Sequence, residues 1–447
     1  MKNAIVLLAI FITLCIESHA QNTRYLVNKI YEHATGKPDT LDWSASDIDA
    51  SRNLIIAGNT ITTSQGTNLL LTKYDQDGNE IWQKQFNNSY NGNDYGIAIT
   101  TDASRRIYVA GASYNGATKN YDYVVLKYDS NGNELWHTYY NGTASSYDVC
   151  TAILLDASGN VFVTGTSTQT GNLNDYLTIK LNSSGTIQWT KNYDYVHLSD
   201  IPAAIVLAAN NRIIVSGGSS NSINSWDFTT LKYNAATGAQ FSVNRNSTSG
   251  SGLDFVTGIA KDANGNFYVT GSAYQTNYGY DMKTIKFDSS LTVLWTKYFD
   301  LATKNDGATD IEVDADNNIY ITGYGEESNS NREMVTVKYN SSGTQQWVQK
   351  FKPLAPFINA EAKKISINPY DAVYITGFKS NGTQKDVVSM SYDLDGNSRW
   401  YREWVGANNS IDVPSFIKYD LNNDHIYVCA RRTTTDSSNY RVIGYTE

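Results

Sequence analysis

Short apolar stretches, separated by clusters of Gly, Asn, Asp and Ser, run through the whole chain without helical spacing. Residues 95–140 hold four of them: Tyr95–Thr101, Ile107–Gly111, Tyr121–Tyr128 and Leu135–Tyr140. Asp102-Ala-Ser-Arg105 and Asp129-Ser-Asn-Gly-Asn133 punctuate them as tight turns, so the segment predicts four short β-strands. The second stretch has no polar face, because Ile107 and Val109 fall on one side and Tyr108 and Ala110 on the other. A strand of that kind is buried on both faces. A four-stranded sheet held between two similar sheets does this, and such sheets repeated about an axis form a β-propeller.

The unit recurs at a fixed period. Ile107-Tyr-Val-Ala-Gly111 is matched at Leu54–Gly58, Val161–Gly165, Ile213–Gly217, Phe267–Gly271, Ile319–Gly323, Val373–Gly377 and, with Ala for Gly, Ile426–Ala430. Successive steps are 53, 54, 52, 54, 52, 54 and 53 residues. A regular period of this size marks an array in which each unit leans on its neighbours. Tyr440–Tyr445 is a third stretch with no fourth after it, while Leu26-Val-Asn-Lys-Ile-Tyr31 matches the fourth stretch Ile81-Trp-Gln-Lys-Gln-Phe86. The prediction is an all-β, eight-bladed propeller of four-stranded antiparallel blades, one domain over 21–447, its last blade closed by the N-terminal strand.

Three residue types recur with the blades. An acid opens the third stretch (Asp122, Asp175, Asp227, Asp281, Glu333, Asp386), a lysine follows (Lys73, Lys127, Lys180, Lys232, Lys286, Lys338), and an aromatic opens the fourth (Trp82, Trp136, Trp189, Phe241, Trp295, Trp347, Trp400). Residues needed in nearly every blade serve the blade, the acid by fixing a turn and the ring by packing between sheets. The connections from second to third stretch and from blade to blade are longer, and in an up-and-down blade they share one face. Varied loops on a rigid scaffold are where binding resides. Tyr90, Tyr114, Tyr274 and Tyr278 are the candidate binding rings there, with Arg431 and Arg432 opposite in sign to Glu326-Glu327.

Charge and termini set the compartment and exclude partners. The net charge of −9 leaves no basic face for nucleic acid. Residues 1–20 read as a secretory signal: Lys2, an apolar run from Ile5 to Ile16, and Ser18-His-Ala20 before the cleavage point. No other run is apolar enough to span a membrane, so the expected location is secreted, periplasmic or on the outer surface. Beyond the signal only Cys150 and Cys429 remain, in the third and eighth units, so no disulfide framework is expected.

Asp156-Ala-Ser-Gly-Asn-Val-Phe-Val-Thr-Gly-Thr-Ser167, followed by Asp175-Tyr-Leu-Thr-Ile-Lys180, Ser184-Gly185 and Trp189, resembles the bacterial seven-bladed β-propeller (SBBP) repeat. The resemblance covers essentially the whole chain after the signal and implies an exported bacterial propeller, here with eight units. Tyr233-Asn-Ala-Ala-Thr-Gly238 is more distantly similar to quinone-cofactor propeller repeats, but the adjacent cysteines of those enzymes are missing.

The remaining chemistry is sparse. Asp75-Gln-Asp77-Gly-Asn79 and Asp393-Leu-Asp395-Gly-Asn397 look like fragments of calcium loops, but sister turns such as Asn182-Ser-Ser-Gly185 lack the second acid, so hairpin turns explain them. His33, His137, His197 and His425 have no metal-ligand spacing. No catalytic residue, metal site or cofactor is expected. The predicted role is a binding scaffold for an extracytoplasmic protein or polysaccharide. The alternative is a polysaccharide lyase or hydrolase, which requires titratable side chains converging at the central pocket.

Overall fold

The computed structural model describes residues 25–31 and 45–446, less short loop stretches at 63–65, 145, 170–172, 223–224, 248–251, 277, 328–330, 369, 371, 407–409, 421–423 and 434–437. The expected signal at 1–20 lies outside the described residues. The chain forms blades of four antiparallel strands in sequence order. Blade 1 runs from Ala45–Ile48 to Glu80–Phe86, and blades 2 to 7 follow with first strands at Asp94–Thr101, Asp148–Leu155, Asp200–Ala208, Phe255–Lys261, Gly307–Val313 and Asn359–Asn368. Blade 8 holds Ile411–Asp420, His425–Thr433 and Ser438–Thr446, and its fourth strand is Tyr25–Tyr31, paired from Tyr31 opposite Tyr440 to Tyr25 opposite Tyr445. The eight-bladed architecture and its closure by the N-terminal strand are as the sequence predicts. Blade 8 meets blade 1 through Tyr427, Cys429 and Val442 packed against Leu54, Ile56 and Tyr74.

The recurring glycine answers to a β-bulge. In blades 2 to 8 the first strand carries a register shift, between Gly96 and Ala98 in blade 2 for example. The bulge drives the first-strand carbonyl onto the second strand: a Cβ on Gly111 would sit 1.7 Å from the Tyr95 oxygen, and one on Gly271 1.8 Å from that of Phe255. The bulge also links blades. Thr151, Thr257 and Thr309 are the extra residues, and each hydroxyl donates to a carbonyl of the next blade's first strand: Pro202, Ala308 and Ala362, at 3.0, 3.0 and 2.9 Å.

The recurring lysine and tryptophan clamp adjacent blades. Lys127 Nζ and Trp136 Nε1 both donate to Ser183 O, at 2.8 and 3.2 Å, in the third-to-fourth turn of the following blade. Lys73 and Trp82 do so on Ser130 O, Lys286 and Trp295 on Ser341 O, and Lys338 and Trp347 on Leu394 O. Between the clamps the core is a series of apolar slabs, each built from two blades, such as Tyr108, Ala110 and Val125 against Val161, Val163 and Leu177. Adjacent blades are therefore joined both by the clamps and by shared apolar core.

Candidate functional site

A cavity of about 700 Å³ lies on the axis, lined by the first strands of blades 1, 2, 3, 6, 7 and 8. Titratable side chains converge there: Asp47 with Lys418 at 2.8 Å, Asp310 with Lys364 at 3.7 Å, and Glu312. Glu312 is exposed toward the cavity, with protein around it on the other sides. That enclosure, reinforced by Asp310, pushes its carboxyl up to about 7 against the opposing pull of Lys418 and Lys364. Sequence reading missed this group, because Asp310 and Glu312 sit at ordinary strand positions and face the axis only once the ring closes.

The long-loop face carries a second, smaller pocket. It measures about 300 Å³ and is lined by Asn88, Ser89, Tyr90, Ser113, Tyr114, Asn115, Asp122 and Tyr139. Two of the predicted residues, Tyr90 and Tyr114, share it. Tyr114 lies in the second strand of blade 2, Ile107–Asn115, rather than in the loop beyond. Each ring rests on a glycine of the other's loop: a Cβ on Gly116 would meet Tyr90 Cδ1 at 2.5 Å, and one on Gly92 would meet Tyr114 Cδ1 at 2.2 Å. Tyr90 is 54% exposed, so one face of its ring is open.

Asn88 fixes this geometry. Its amide nitrogen donates to Asp94 Oδ1, Ser113 Oγ and Tyr114 O at 2.8, 2.7 and 2.7 Å, and its Oδ1 accepts from the Tyr90 N–H at 2.8 Å. Asp94, pushed up to about 6 by burial, also accepts from the Asn88 N–H and the Ser113 hydroxyl. On the opposite wall Asn115 Nδ2 donates to Asp122 Oδ2 at 2.7 Å, while Asp122 Oδ1 is buried without a partner. Burial pushes this carboxyl upward as well.

Further rings extend the surface. Tyr121 packs edge-on against Tyr114 at 5.8 Å and stacks with Tyr147, which is 55% exposed. Sequence reading missed Tyr121, Tyr139 and Tyr147; the first two are strand residues in a chain with tyrosine in most strands. Tyr274 and Tyr278 belong to a separate cluster on blade 5. Tyr274 rests on Gly252 and packs edge-on against Tyr280 at 5.4 Å, and Phe255 and Trp226 continue the row. Tyr278 is half exposed in the adjoining turn.

Arg431 and Arg432 do not join either cluster. They are strand residues of His425–Thr433 in blade 8, and Arg432 lies 5.8 Å over the Trp404 ring. Glu326 and Glu327, opposite to them in sign, are matched locally. Glu326 pairs with Arg332 at 3.0 Å, and Glu327 with Lys352.

The calcium-like turns are closed by their own backbone. Asp393 Oδ1 accepts from the N–H groups of Asp395 and Asn397, and its Oδ2 from Asn397 Nδ2. Asp75 is held the same way by Asn79. His137, His197 and His425 lie on different blades or loops and contact Glu134, Asp194 and Tyr427 respectively. Cys150 and Cys429 are free and buried. Among the described residues no helix is long and apolar enough to cross a membrane.

No family model and no curated protein sequence matches this chain. Solved structures do. Sqt1 from Chaetomium thermophilum aligns with a TM-score of 0.54 at 11% identity, over 92% of this chain and 97% of that one. A hypothetical selenium-binding protein from Sulfolobus tokodaii gives 0.50 at 8%, over 78% and 91%. The WD40 domain of SCAP from fission yeast gives 0.47 at 8%, over 95% and 97%. At these identities the likeness is one of fold alone.

Proposed function

We propose that the chain is an exported scaffold that binds a polysaccharide on its long-loop face, at the pocket between the loops of blades 1 and 2. The observation that carries this reading is the seating of Tyr90 and Tyr114 on Gly116 and Gly92, with the Tyr90 ring half exposed at the pocket. A sugar ring offers an apolar face to stack on a held aromatic ring. Because the rings are already seated, little side-chain entropy is lost on binding. The signal-like residues 1–20 and the SBBP resemblance support a location outside the cytoplasm. The test is a polysaccharide panel probed with the wild type and with Tyr90→Ala, Tyr114→Ala and Asn131→Ala, the last on the tight-turn face. The two tyrosine variants should each weaken retention about tenfold, roughly 1.4 kcal/mol, and Asn131→Ala should leave it unchanged. Loss from Asn131→Ala alone places the site on the opposite face and ends this reading.

A second reading, cleavage of the polysaccharide at the axial cavity, is favoured by Glu312, a carboxyl near 7 poised to hold or release a proton. It predicts that new chain ends appear on incubation with the bound polysaccharide and that Glu312→Gln abolishes them.

A further inference from the structure

The recurring acid of the third strand was expected to fix a turn, but at the blade junctions it meets a second acid. Asp122 faces Asp148, Asp175 faces Asp200, and Asp281 faces Asp306, the second residue of each pair lying at the entry to the next blade's first strand. Two buried carboxylates side by side need a positive partner or a proton. At some junctions the chain supplies the cation. Between blades 4 and 5, Arg245 pairs with Asp227 at 3.1 Å, and the fully buried Lys283 lies 3.4 Å from Asp254. Between blades 6 and 7, Lys352 lies 3.6 Å from Glu333.

The junction of blades 5 and 6 is built differently. The position 19 residues after the third-strand acid, which is Lys352 after Glu333, is here Asp300 after Asp281. Oxygens of Asp281, Asp300 and Asp306 all lie within 4.8 Å of one another. Among the described residues no lysine or arginine pairs with any of the three. Asp306 is held in place by the N–H groups of Leu301 and Glu326, at 2.6 and 2.9 Å, and Asp300 by that of Thr303. Asp281 is only 5% exposed, and its Oδ1 is buried with no hydrogen-bond partner. That orphan acceptor is an observation separate from the clustering of charge. It marks a place where a positive group belongs, and the lysine of the sister junction marks the same place.

The geometry points to a divalent cation site at this junction, with Asp281, Asp300 and Asp306 as ligands and calcium as the fitting ion. All donors are hard carboxylate oxygens. Calcium takes such ligands at about 2.3–2.6 Å in flexible geometry, while magnesium at about 2.0–2.1 Å demands a near-ideal octahedron. Asp300 is exposed and leaves a path for water and the ion. A sister set, Asp175, Asp194 and Asp200, also has its oxygens within 4.8 Å of one another, but there His197 occupies Asp194, and Ser219, the Tyr195 N–H and the charge of Arg245 act on Asp200. It is the poorer site. The expectation of no metal rested on the lack of clustered ligands and of paired cysteines, and this cluster forms only where two blades meet.

The test uses the whole secreted chain, stripped with a chelator and titrated calorimetrically with CaCl₂ and, separately, MgCl₂. Thermal melts are recorded in parallel. Calcium should bind and raise the midpoint by several degrees, with a weaker response to magnesium. Asp300→Asn, which alters only an exposed side chain, should weaken calcium binding at least tenfold, while Asp194→Asn should leave it largely intact. Asp281→Asn should melt no lower than the wild type without metal, since it removes a buried charge, and should lose the calcium response. A wild type indifferent to calcium overturns the proposal and leaves Asp281 as a buried protonated acid. A full calcium response in both Asp300→Asn and Asp281→Asn overturns it equally.

Discussion

The clamp of lysine and tryptophan on the next blade's turn gives a sharp prediction through two glycines. Gly185 sits in the turn gripped by Lys127 and Trp136, with φ of 84°, and a Cβ there would lie 2.7 Å from Trp136 Cδ2 and 2.8 Å from Cε3. Gly265 has nearly the same backbone, φ 83°, but nothing stands within 4 Å of its Cβ position. Gly265→Ala should therefore cost only the left-handed strain, about 1–2 kcal/mol. Gly185→Ala carries that strain and also pushes the indole off its seat. Overpacking adds about 1–3 kcal/mol, and loss of the 3.2 Å bond from Trp136 to Ser183 O about 1 kcal/mol, for a total of roughly 3–6 kcal/mol. Urea unfolding followed by tryptophan fluorescence compares the two, provided the slopes match. Equal losses in the two variants would refute the claim that the clamp carries junction energy.

Deleting residues 21–32 removes the strand paired with Tyr440–Tyr445 and should expose a long edge, giving aggregation or a large fall in midpoint; a truncation that melts like the full mature chain would contradict closure. Asp148 is fully buried and raised by burial to about 6, so its folded form binds a proton more tightly than the unfolded chain, and its favourable contribution is present below about pH 4 and lost as pH rises through about 6. Asp148→Asn should reduce the loss of midpoint between pH 4 and pH 7, and an unchanged pH slope would exclude the assignment.

Blade number, strand order and closure were legible because a propeller repeats its apolar pattern at a fixed period, and the unmatched strands at Tyr440–Tyr445 and Leu26–Tyr31 complete each other. The glycine of the second strand was legible as a repeat but not as the seat of a bulged carbonyl, since the bulge is set by pairing. Tyr90 and Tyr114 could be chosen because they fall near long loops. Their common pocket could not, because Gly92 and Gly116 become seats only when the connection entering blade 2 folds against that blade's second-to-third loop. The strand residues Arg431 and Arg432 were misplaced for the opposite reason: the end of a strand and the start of its loop share the same polar composition. The meetings of Asp281 with Asp306 and of Asp47 and Asp310 with the axial lysines join residues from different strands or different blades, and no local pattern announces them.

Hydrogen–deuterium exchange with and without a retained polysaccharide tests the central claim most directly, because it maps the occupied surface without altering a residue. Binding at the long-loop pocket predicts slowed exchange in residues 87–93 and 113–121, with the first strands of blades 6 and 7 unchanged. Protection confined to residues 307–313 and 359–368, or to the tight turn at 129–133, would contradict it.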